Sequence, residues 1–280
     1  MPASPGWHFS VTIDAAIIEP FEVNPATDLN YPVDADKLLD EIARDLPLAD
    51  FLYLGSSKVV QLLSEITGST IGDDPLFLDS WNSLEEDQYM ADGGKYRKRR
   101  HATFATQHAG DQPTLMPHQP HYQSLDYNSL NGGVARYFAP ILIDLLNSRT
   151  LGALLEMGNR LFSRLTGNHA WHIELHQFRI EARDGRYGNP TPEGVHRDGV
   201  DFVMVVMIKR VNINSGGTTI FNLENQLIGE FTLLNTFDMA IVNDHRVYHG
   251  VTPITQIDPQ QEAYRDVLVI TFKANSPSSA

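Results

Sequence analysis

The chain has 280 residues, of which 42% are hydrophobic and 20% are charged, a composition typical of a soluble globular protein. It contains no cysteine, which excludes disulfides and thiolate metal sites, and its net charge of −14 disfavours binding to nucleic-acid phosphates. No apolar run is long enough to span a membrane and MPASPGWHFSVTID lacks the features of a secretory leader, so we expect a cytoplasmic protein without membrane or nucleic-acid partners.

The helical patterns lie in the first 166 residues. Helices are predicted over residues 34–46, 58–67 and 140–165, the last with a break near residues 147–150. We expect Pro47 to end the first helix and Gly68 to end the second, because neither residue favours the helix interior.

A basic run, K-Y-R-K-R-R, covers residues 95–100 ahead of a strand-like stretch at residues 102–106. The simpler interpretation is a solvated lead-in to that strand. The alternative is that one of these arginines lies at the mouth of an active site and holds an anionic substrate.

Strand patterns dominate after Gly167. They are predicted at residues 172–182, 201–211, 218–221, 229–233, 239–242 and 266–274. Helices first and strands later predict a mainly β fold with flanking helices, in which N-terminal helices buttress an antiparallel barrel or sandwich. No linker divides the chain, so we expect a single domain over residues 1–280, with helical and lid elements to residue 166 and the β core over residues 167–275.

The segment V-H-R-D-G places His196 and Asp198 two residues apart, so on an extended backbone their side chains share one face. The apolar run DFVMVVMI follows, and an unbroken strand would put Phe202 and Met204 on the same inner face. A later histidine, His249 in Y-H-G-V-T-P, completes two imidazoles and one carboxylate. This ligand set leaves adjacent metal positions open and suits non-haem Fe(II) oxygenases.

His245 lies four residues before His249 and has the same strand parity, so parity does not choose between them. We prefer His249 because the residues after it resemble a strand end that opens onto a turn. His245 lies in the polar run N-D-H-R, which is more typical of a surface bend.

Arg265 opens the last predicted strand, in phase with Val267 and Val269. An inward guanidinium needs an anionic partner, and its planar fork matches a carboxylate. The partner is either the distal carboxylate of a dicarboxylate cosubstrate or a protein acid such as Asp238 or Glu262. With a metal triad upstream, we favour the cosubstrate.

These motifs resemble the bacterial 2OG-Fe dioxygenase family, which includes free-L-isoleucine 4-hydroxylases and related hydroxylases of free amino acids. The resemblance is carried by H-R-D-G-V-D-F-V, N-S-G-G-T, D-H-R-V-Y-H-G-V-T-P-I and R-D-V-L-V-I-T-F, within about residues 172–272. Residues 96–104 and 119–138 are similar as well.

The resemblance implies a double-stranded β-helix core of the jelly-roll or cupin type. It also implies Fe(II), 2-oxoglutarate as cosubstrate, and O2. Carried over by position, His196, Asp198 and His249 bind the iron, and Arg265 binds the distal carboxylate of 2-oxoglutarate. The chain keeps the family's pattern at these four positions.

The substrate contacts are less defined by the sequence. On the strand H-Q-F-R-I, Gln177 and Arg179 share one face, while His176 and Phe178 share the other, and one of these faces should line the barrel. We name Gln177 and Arg179 as candidate substrate contacts. Four further candidates lie in a glycine-containing segment suited to a lid, namely Tyr122, Gln123, Asn128 and Arg136. For each of them a purely structural role is the alternative.

Three functions are compatible with this sequence. The first is an Fe(II)/2-oxoglutarate dioxygenase that hydroxylates an aliphatic carbon of a free L-amino acid or a close derivative. The second is the same chemistry on a peptide, a nucleic-acid base or a carrier-bound acyl group. The third is a metal-binding cupin without oxygenase activity, which would have no use for Arg265. A homodimer is compatible with each of them.

Overall fold

The computed structural model describes residues 34–275, apart from residues 73, 109, 168 and 184. The helices in this range are α1 (Ala35–Ala49), α2 (Ser56–Thr67), α3 (Pro75–Leu78) and α4 (Arg149–Thr166), with 3-10 turns at Asp79–Ser83 and Ile143–Asn147. The segment in which the sequence showed no leader lies outside the described residues. Within them, no helix combines the length and the apolar character that crossing a membrane requires.

The strands in this range run antiparallel to their neighbours. They are β1 (Phe51–Leu54), β2 (Glu85–Glu86), β3 (Arg97–Ala105), β4 (Thr114–Leu115), β5 (Trp171–Glu181), β6 (Phe202–Val211), β7 (Ile213–Ser215), β8 (Thr218–Asn222), β9 (Leu227–Phe231), β10 (Met239–Asn243), β11 (Val247–Val251), β12 (Ile254–Gln256) and β13 (Tyr264–Ala274). The large sheet has the order β1-β10-β6-β13-β5-β3-β2, with β4 paired to β3. Two smaller sheets have the orders β11-β8-β9 and β12-β7.

Local hydrogen bonds explain where the helices begin and end. Asp34 caps α1 by accepting a hydrogen bond from the N–H of Asp36 at 2.9 Å. The helix continues past Pro47, contrary to the prediction, because a proline removes only its own N–H, and Asp50 still donates to the Leu46 carbonyl.

Both other boundary predictions agree with the structure. Gly68 ends α2 in the left-handed conformation, and the predicted break in the third helix coincides with Ser148. The Ser148 hydroxyl caps α4 by accepting from the N–H of Leu151 at 3.0 Å.

The two faces of the large sheet have different neighbours. One face packs against α1, α2 and α4, through a core that includes Phe202, Met204, Val206 and Ile208 of β6. The other face packs against the three-stranded sheet, where Val203 of β6 contacts residues of β8 and β11. The fold is therefore mainly β with flanking helices, as predicted, but Phe202 and Met204 belong to the helix-covered face and do not line the site.

Strands from the first half of the chain belong to the large sheet. β1 pairs with β10 and β3 pairs with β5, so residue 166 is not a structural boundary between a helical part and a β part. The sequence pattern predicted neither a strand at β1 nor the full length of β3. This placement is what brings the basic run at residues 95–100 next to the site.

Candidate active site

A cavity of about 240 Å³ lies between the large sheet and the three-stranded sheet. Its wall contains residues of β3, β5, β6, β11 and β13, together with the segments 121–136 and 190–200. The predicted metal ligands and Arg265 line this one cavity, as do Tyr122, Gln123, Asn128 and Arg136.

The three predicted metal ligands converge. Each offers one ligand atom, and these atoms lie within 4.8 Å of one another. Nε2 of His196 lies 3.7 Å from Asp198 Oδ1, and Nε2 of His249 lies 3.3 Å from Asp198 Oδ2. The backbones of His196 and His249 exchange two N–H···O=C hydrogen bonds of 2.9 Å, which hold the segment before β6 against β11.

His196 and Asp198 do not lie on the regular strand that the sequence predicted. Gly199 has φ of 80°, in the region that favours glycine, and a Cβ there would lie 2.6 Å from the Tyr127 ring. Asp244 stabilises this turn, because its carboxylate accepts hydrogen bonds from the N–H groups of Asp198, Gly199 and Val200 at 2.7–3.1 Å. The turn resets the alternation of side chains, so Val203 and Val205 face the cavity.

The electrostatics of this cluster favour a cation. Burial lowers the pKa of His249, but the nearby carboxylates of Asp198 and Asp244, 3.3 and 3.7 Å from its Nε2, outweigh burial and raise the pKa to about 10. For His196, burial is likewise outweighed by the hydrogen bond to Asp198, and its pKa is raised. A site that holds protons this strongly has excess negative potential, which a divalent cation would neutralise.

The donor atoms also fit a metal. Nδ1 of His196 lies 3.0 Å from the carbonyl oxygen of Gly194, which only accepts, so Nδ1 carries a proton and Nε2 is available as a ligand. Nε2 of His249 is buried without a hydrogen-bond partner among the described residues. Two imidazole nitrogens and one carboxylate form the facial set that suits Fe(II). His245 lies outside this cluster, exposed and bonded to Asp201 Oδ1 at 2.7 Å.

Arg265 points into the cavity, as its strand parity predicted. Its Nε and Nη2 atoms are buried and have no hydrogen-bond partner within the described range. Burial, together with the nearby Arg210, lowers its pKa to about 9. The protein acids considered as partners do not pair with it in the described part of the chain, and Asp238 instead accepts from backbone N–H groups such as that of Ser56. Arg265 therefore fits the carboxylate of a bound molecule.

Four of the six candidate substrate contacts line the cavity, and three of them form a chain of hydrogen bonds. Gln123 Nε2 donates to Asp198 Oδ1 at 3.2 Å. Its Oε1 accepts from Arg136 Nη2 at 2.8 Å and from Asn128 Nδ2 at 3.3 Å. Tyr122 is largely exposed at the rim. The segment that carries them is thus linked directly to a predicted metal ligand.

Gln177 and Arg179 face away from the cavity, so their assignment as substrate contacts disagrees with the structure. Gln177 is fully buried and donates to the hydroxyl of Ser80 at 2.7 Å. Arg179 forms a bidentate ion pair with Asp266, with two hydrogen bonds of 2.7 Å. The opposite face of β5, with His176 and its neighbours at even positions, lines the cavity.

Two arginines of the basic run line the cavity, so the interpretation of a solvated lead-in was wrong. Arg97 and Arg99 are buried. Nε of Arg97 lies 2.7 Å from Asp87 Oδ2, and Nη1 of Arg99 lies 3.6 Å from the same oxygen. Arg97 and Arg99 are two residues apart, and on a strand this spacing places both side chains on the same face of the sheet. This spacing was the signal in the sequence that could have identified them.

A second group of potential metal ligands lies on the β3–β5 wall, formed by His101, His121, Glu174 and His176. Glu174 Oε2 lies 2.5 Å from His121 Nδ1. Nδ1 of His176 lies 2.7 Å from Arg99 Nη2, which only donates, so His176 carries its proton on Nε2 and is no free ligand. Burial raises the pKa of Glu174, but hydrogen bonds from the surrounding histidines outweigh it and hold the pKa well below its usual range. His121, Glu174 and His176 are therefore held by hydrogen bonds within the protein, and we assign no metal to this group.

Comparison with known proteins identifies relatives of this chain. A model of the 2OG-Fe dioxygenase family matches residues 78–271. The 3(1)-hydroxy-L-isoleucine 4-dioxygenase of Pantoea ananatis is 26% identical over 165 residues, which cover 58% of this chain and 66% of the relative. The chain thus spans just under two thirds of this curated relative's length.

Two solved structures have a similar fold. The bsmA homologue of Methylobium petroleophilum is 33% identical, with a TM-score of 0.74, and the match covers 90% of this chain and 99% of that one. IDO of Bacillus thuringiensis, at 18% identity and a TM-score of 0.67, covers 85% and 96% and supports the fold alone. Because the family match extends over most of the chain, the chain belongs to the 2OG-Fe dioxygenase family, and the jelly-roll fold and the use of Fe(II), 2-oxoglutarate and O2 that the sequence predicted are confirmed.

Proposed function

We propose that this protein hydroxylates an aliphatic carbon of a free L-amino acid, or of a close derivative, and releases succinate and CO2. The observation that carries the proposal is the combination, in one cavity, of three convergent metal ligands with an arginine whose buried nitrogens have no partner within the described residues. A metal-binding cupin without turnover would have no use for Arg265.

In this proposal His196, Asp198 and His249 hold Fe(II), and the guanidinium of Arg265 holds the distal carboxylate of 2-oxoglutarate. When bound, Fe(II) with 2-oxoglutarate and O2 supplies the oxidising power that converts a C–H bond to C–OH. Asp244 positions Asp198 through the backbone of the turn at Gly199. Such supporting contacts orient a ligand and tune its basicity.

The chain's own contribution to selectivity is the shape of the cavity. Val203, Val205, Val267 and Val269 form its apolar lining. An apolar lining excludes water from the reacting carbon and accepts an aliphatic side chain. Gln123, Asn128 and Arg136, with Tyr122 at the rim, remain the proposed contacts for the polar groups of the substrate.

The substrate class rests on the curated relative, whose name assigns it a hydroxylated L-isoleucine. The negative net charge disfavours a nucleic-acid substrate. The second candidate is the same chemistry on a peptide or a carrier-bound acyl group.

The test is a mass-spectrometric screen with Fe(II), 2-oxoglutarate, ascorbate and O2 against the twenty proteinogenic amino acids and common non-proteinogenic ones. We expect one of them to gain a single oxygen atom in proportion to succinate. If none does, and a peptide or carrier-bound substrate is turned over, the free-amino-acid proposal is rejected and the iron site is retained.

A further inference from the structure

Arg136 is a buried cation without an acidic partner. Its side chain is almost fully buried, at 2% exposure, and no carboxylate of the described residues lies within ion-pair distance of it. Nη2 donates to the amide oxygen of Gln123, while Nε is buried and has no hydrogen-bond partner among residues 34–275 as described. Burial, and then repulsion from Arg97, lower its pKa. A buried guanidinium in this state fits an anion supplied from outside the chain.

Glu193 is a carboxylate of the same cavity, and no motif in the sequence indicated it. Its side chain is 9% exposed, lines the same cavity, and makes no ion pair with a lysine or arginine of the described part. Oε2 is buried and has no hydrogen-bond partner in the part of the chain that the structure describes, and Oε1 lies 3.4 Å from His196 Nε2. The carboxylate does not belong to the group of atoms that converge as metal ligands. Glu193 thus fits a cation other than the metal.

Other buried charged side chains of the cavity lining already have partners. Arg97 and Arg99 share Asp87, and Glu174 is bonded to His121. Arg265 is assigned to 2-oxoglutarate, so Arg136 and Glu193 are a further cation and anion of the lining that lack an oppositely charged lysine, arginine or acid within ion-pair distance among the described residues. Glu193 also acts on Arg136 through space, since it is among the carboxylates that raise the pKa of Arg136, but the two form no ion pair.

We propose that Arg136 and Glu193 together bind the zwitterionic head group of a free α-amino acid, Arg136 taking the carboxylate and Glu193 taking the ammonium. This inference rests on the proposed function and deepens it, because it states what distinguishes a free amino acid from a peptide. A peptide bond or an acyl carrier removes one of the two charges and leaves a buried protein charge unpaired, which is a strong basis for discrimination.

Arg136 and Glu193 both lie close to metal ligands. Gln123 links Arg136 to Asp198, and Glu193 lies against His196. The head group would be held beside two metal ligands, which leaves the aliphatic side chain to extend along the valine-lined part of the cavity.

The test compares Glu193→Gln and Arg136→Gln with the unaltered enzyme. The probes are the twenty free L-amino acids, their N-acetyl derivatives, which lack the ammonium, and their carboxamides, which lack the carboxylate. KM is measured for each turned-over probe, and anaerobic calorimetry measures binding without turnover. Controls are Glu224→Gln and Arg186→Gln, which remove charges from exposed positions.

We expect Glu193→Gln to raise KM for the free amino acid by roughly 30-fold or more, the low end for loss of a buried charge pair, and to reduce the preference over the N-acetyl derivative. Arg136→Gln should do the same for the preference over the carboxamide. Iron content and KM for 2-oxoglutarate should not change. Glu193→Asp, which keeps the charge, should retain the preference for a free ammonium.

Three results would overturn the inference. Unchanged KM and unchanged preferences in both variants would show that the charges do not contact the head group. Loss of iron from Glu193→Gln would make Glu193 a metal ligand. Turnover of blocked substrates in preference to free amino acids by the unaltered enzyme would reject this inference and the proposed function together.

Discussion

The buried charged groups on the two walls of the cavity differ in whether the chain supplies an opposite charge. On the wall that includes β11 and β13, Nε2 of His249 and two nitrogens of Arg265 have no partner within the described residues. On the wall of β3 and β5, nitrogens of Arg97, Arg99 and His101 also lack a hydrogen bond within the described residues, but the charges are balanced: Arg97 and Arg99 face Asp87, and Glu174 is bonded to His121. Because a buried charge is stable only near an opposite charge, Arg265 needs a ligand, whereas the arginines of the second wall have a carboxylate of the chain. The contrast separates residues that hold ligands from residues that shape the cavity.

Two arginines on neighbouring strands repeat this contrast. Arg179 of β5 lies opposite Asp266 of β13 in the register and forms a bidentate ion pair with it. Arg265, one position earlier on β13, points to the other face and has no acidic partner in the described range. Chemically identical side chains thus have opposite roles, which depend on the face of the sheet.

The largest effect should come from the metal ligands. His196→Ala, Asp198→Ala and His249→Ala should each abolish turnover and strongly reduce iron content, because each removes one of three ligands. The fold should survive, since these side chains lie outside the helix-covered core. Iron analysis, succinate formation and circular dichroism measure the three quantities.

His245→Ala is the matched control, because it removes a nearby histidine that bonds to Asp201 on the surface. It should retain iron and activity. An inactive His245→Ala protein combined with an active His249→Ala protein would show that the downstream ligand is misassigned.

The second effect concerns the two arginines. Replacing Arg265 should weaken 2-oxoglutarate binding, whereas replacing Arg179 should lower the stability of the fold. Arg265→Ala should weaken 2-oxoglutarate binding by about 2–5 kcal/mol, which corresponds to a rise in KM of roughly 30-fold or more. Arg265→Lys should recover only part of it, because an ammonium cannot form the bidentate pair. Without 2-oxoglutarate, Arg265→Ala should not lower the free energy of unfolding, since it removes a buried cation that has no acidic partner among the described residues.

Arg179→Ala should show the opposite pattern. It leaves Asp266 buried and unpaired, so the free energy of unfolding should fall by roughly 3 kcal/mol, while KM for 2-oxoglutarate stays unchanged. Chemical denaturation and steady-state kinetics on both variants measure the free energy of unfolding and KM for 2-oxoglutarate. If both variants lost stability and neither changed KM, the distinction between the two arginines would be wrong.

The predicted site residues that the structure brings together in the cavity are those identified by short spacing or by position in a strand. His196 and Asp198 are close in the chain, and Arg265 is in phase with a clear apolar alternation. The inward face of β6 was predicted wrongly, because the turn at Gly199 resets the alternation before the strand begins. The direction of that turn depends on Asp244, which lies far along the chain.

The β3–β5 wall was harder to predict for a different reason. Both faces of β5 carry polar side chains, so alternation does not tell which face is inside, and Gln177 and Arg179 were placed on the wrong one. Arg97 lies in a run of charges that looks solvated, and its partner Asp87 belongs to a separate segment. Pairings between distant segments decide such cases, and a single sequence does not contain them.

The third test concerns Asp244, which supports the metal ligand Asp198. Asp244→Ala removes the acceptor of three backbone N–H groups, including that of Asp198, and should weaken iron binding by about 10–100-fold, as loss of such supporting contacts does. Unlike Arg265→Ala, it should also lower the melting temperature. Asp144→Asn, at an exposed position, should change neither. Unaltered iron affinity in Asp244→Ala would mean that the turn holds its shape without this carboxylate.

The smallest effect tests the link between the metal ligand Asp198 and the segment 121–136. Gln123 joins Asp198 to Arg136 and also accepts from Asn128, so Gln123→Ala removes three hydrogen bonds between side chains, each contributing roughly 0.5–1.5 kcal/mol, without removing a charge or a metal ligand. We expect iron content and KM for 2-oxoglutarate to stay near those of the unaltered enzyme, since Arg265 and the metal ligands are intact. The segment that carries Arg136 would lose its attachment to the metal site, so substrate would be held less firmly while 2-oxoglutarate is still consumed. The ratio of succinate to hydroxylated product should therefore rise a few-fold, whereas Gln88→Ala, at an exposed position, should leave it unchanged. A parallel loss of succinate and product, with a constant ratio, would mean that Gln123 supports the metal ligand alone and does not position Arg136 for the substrate.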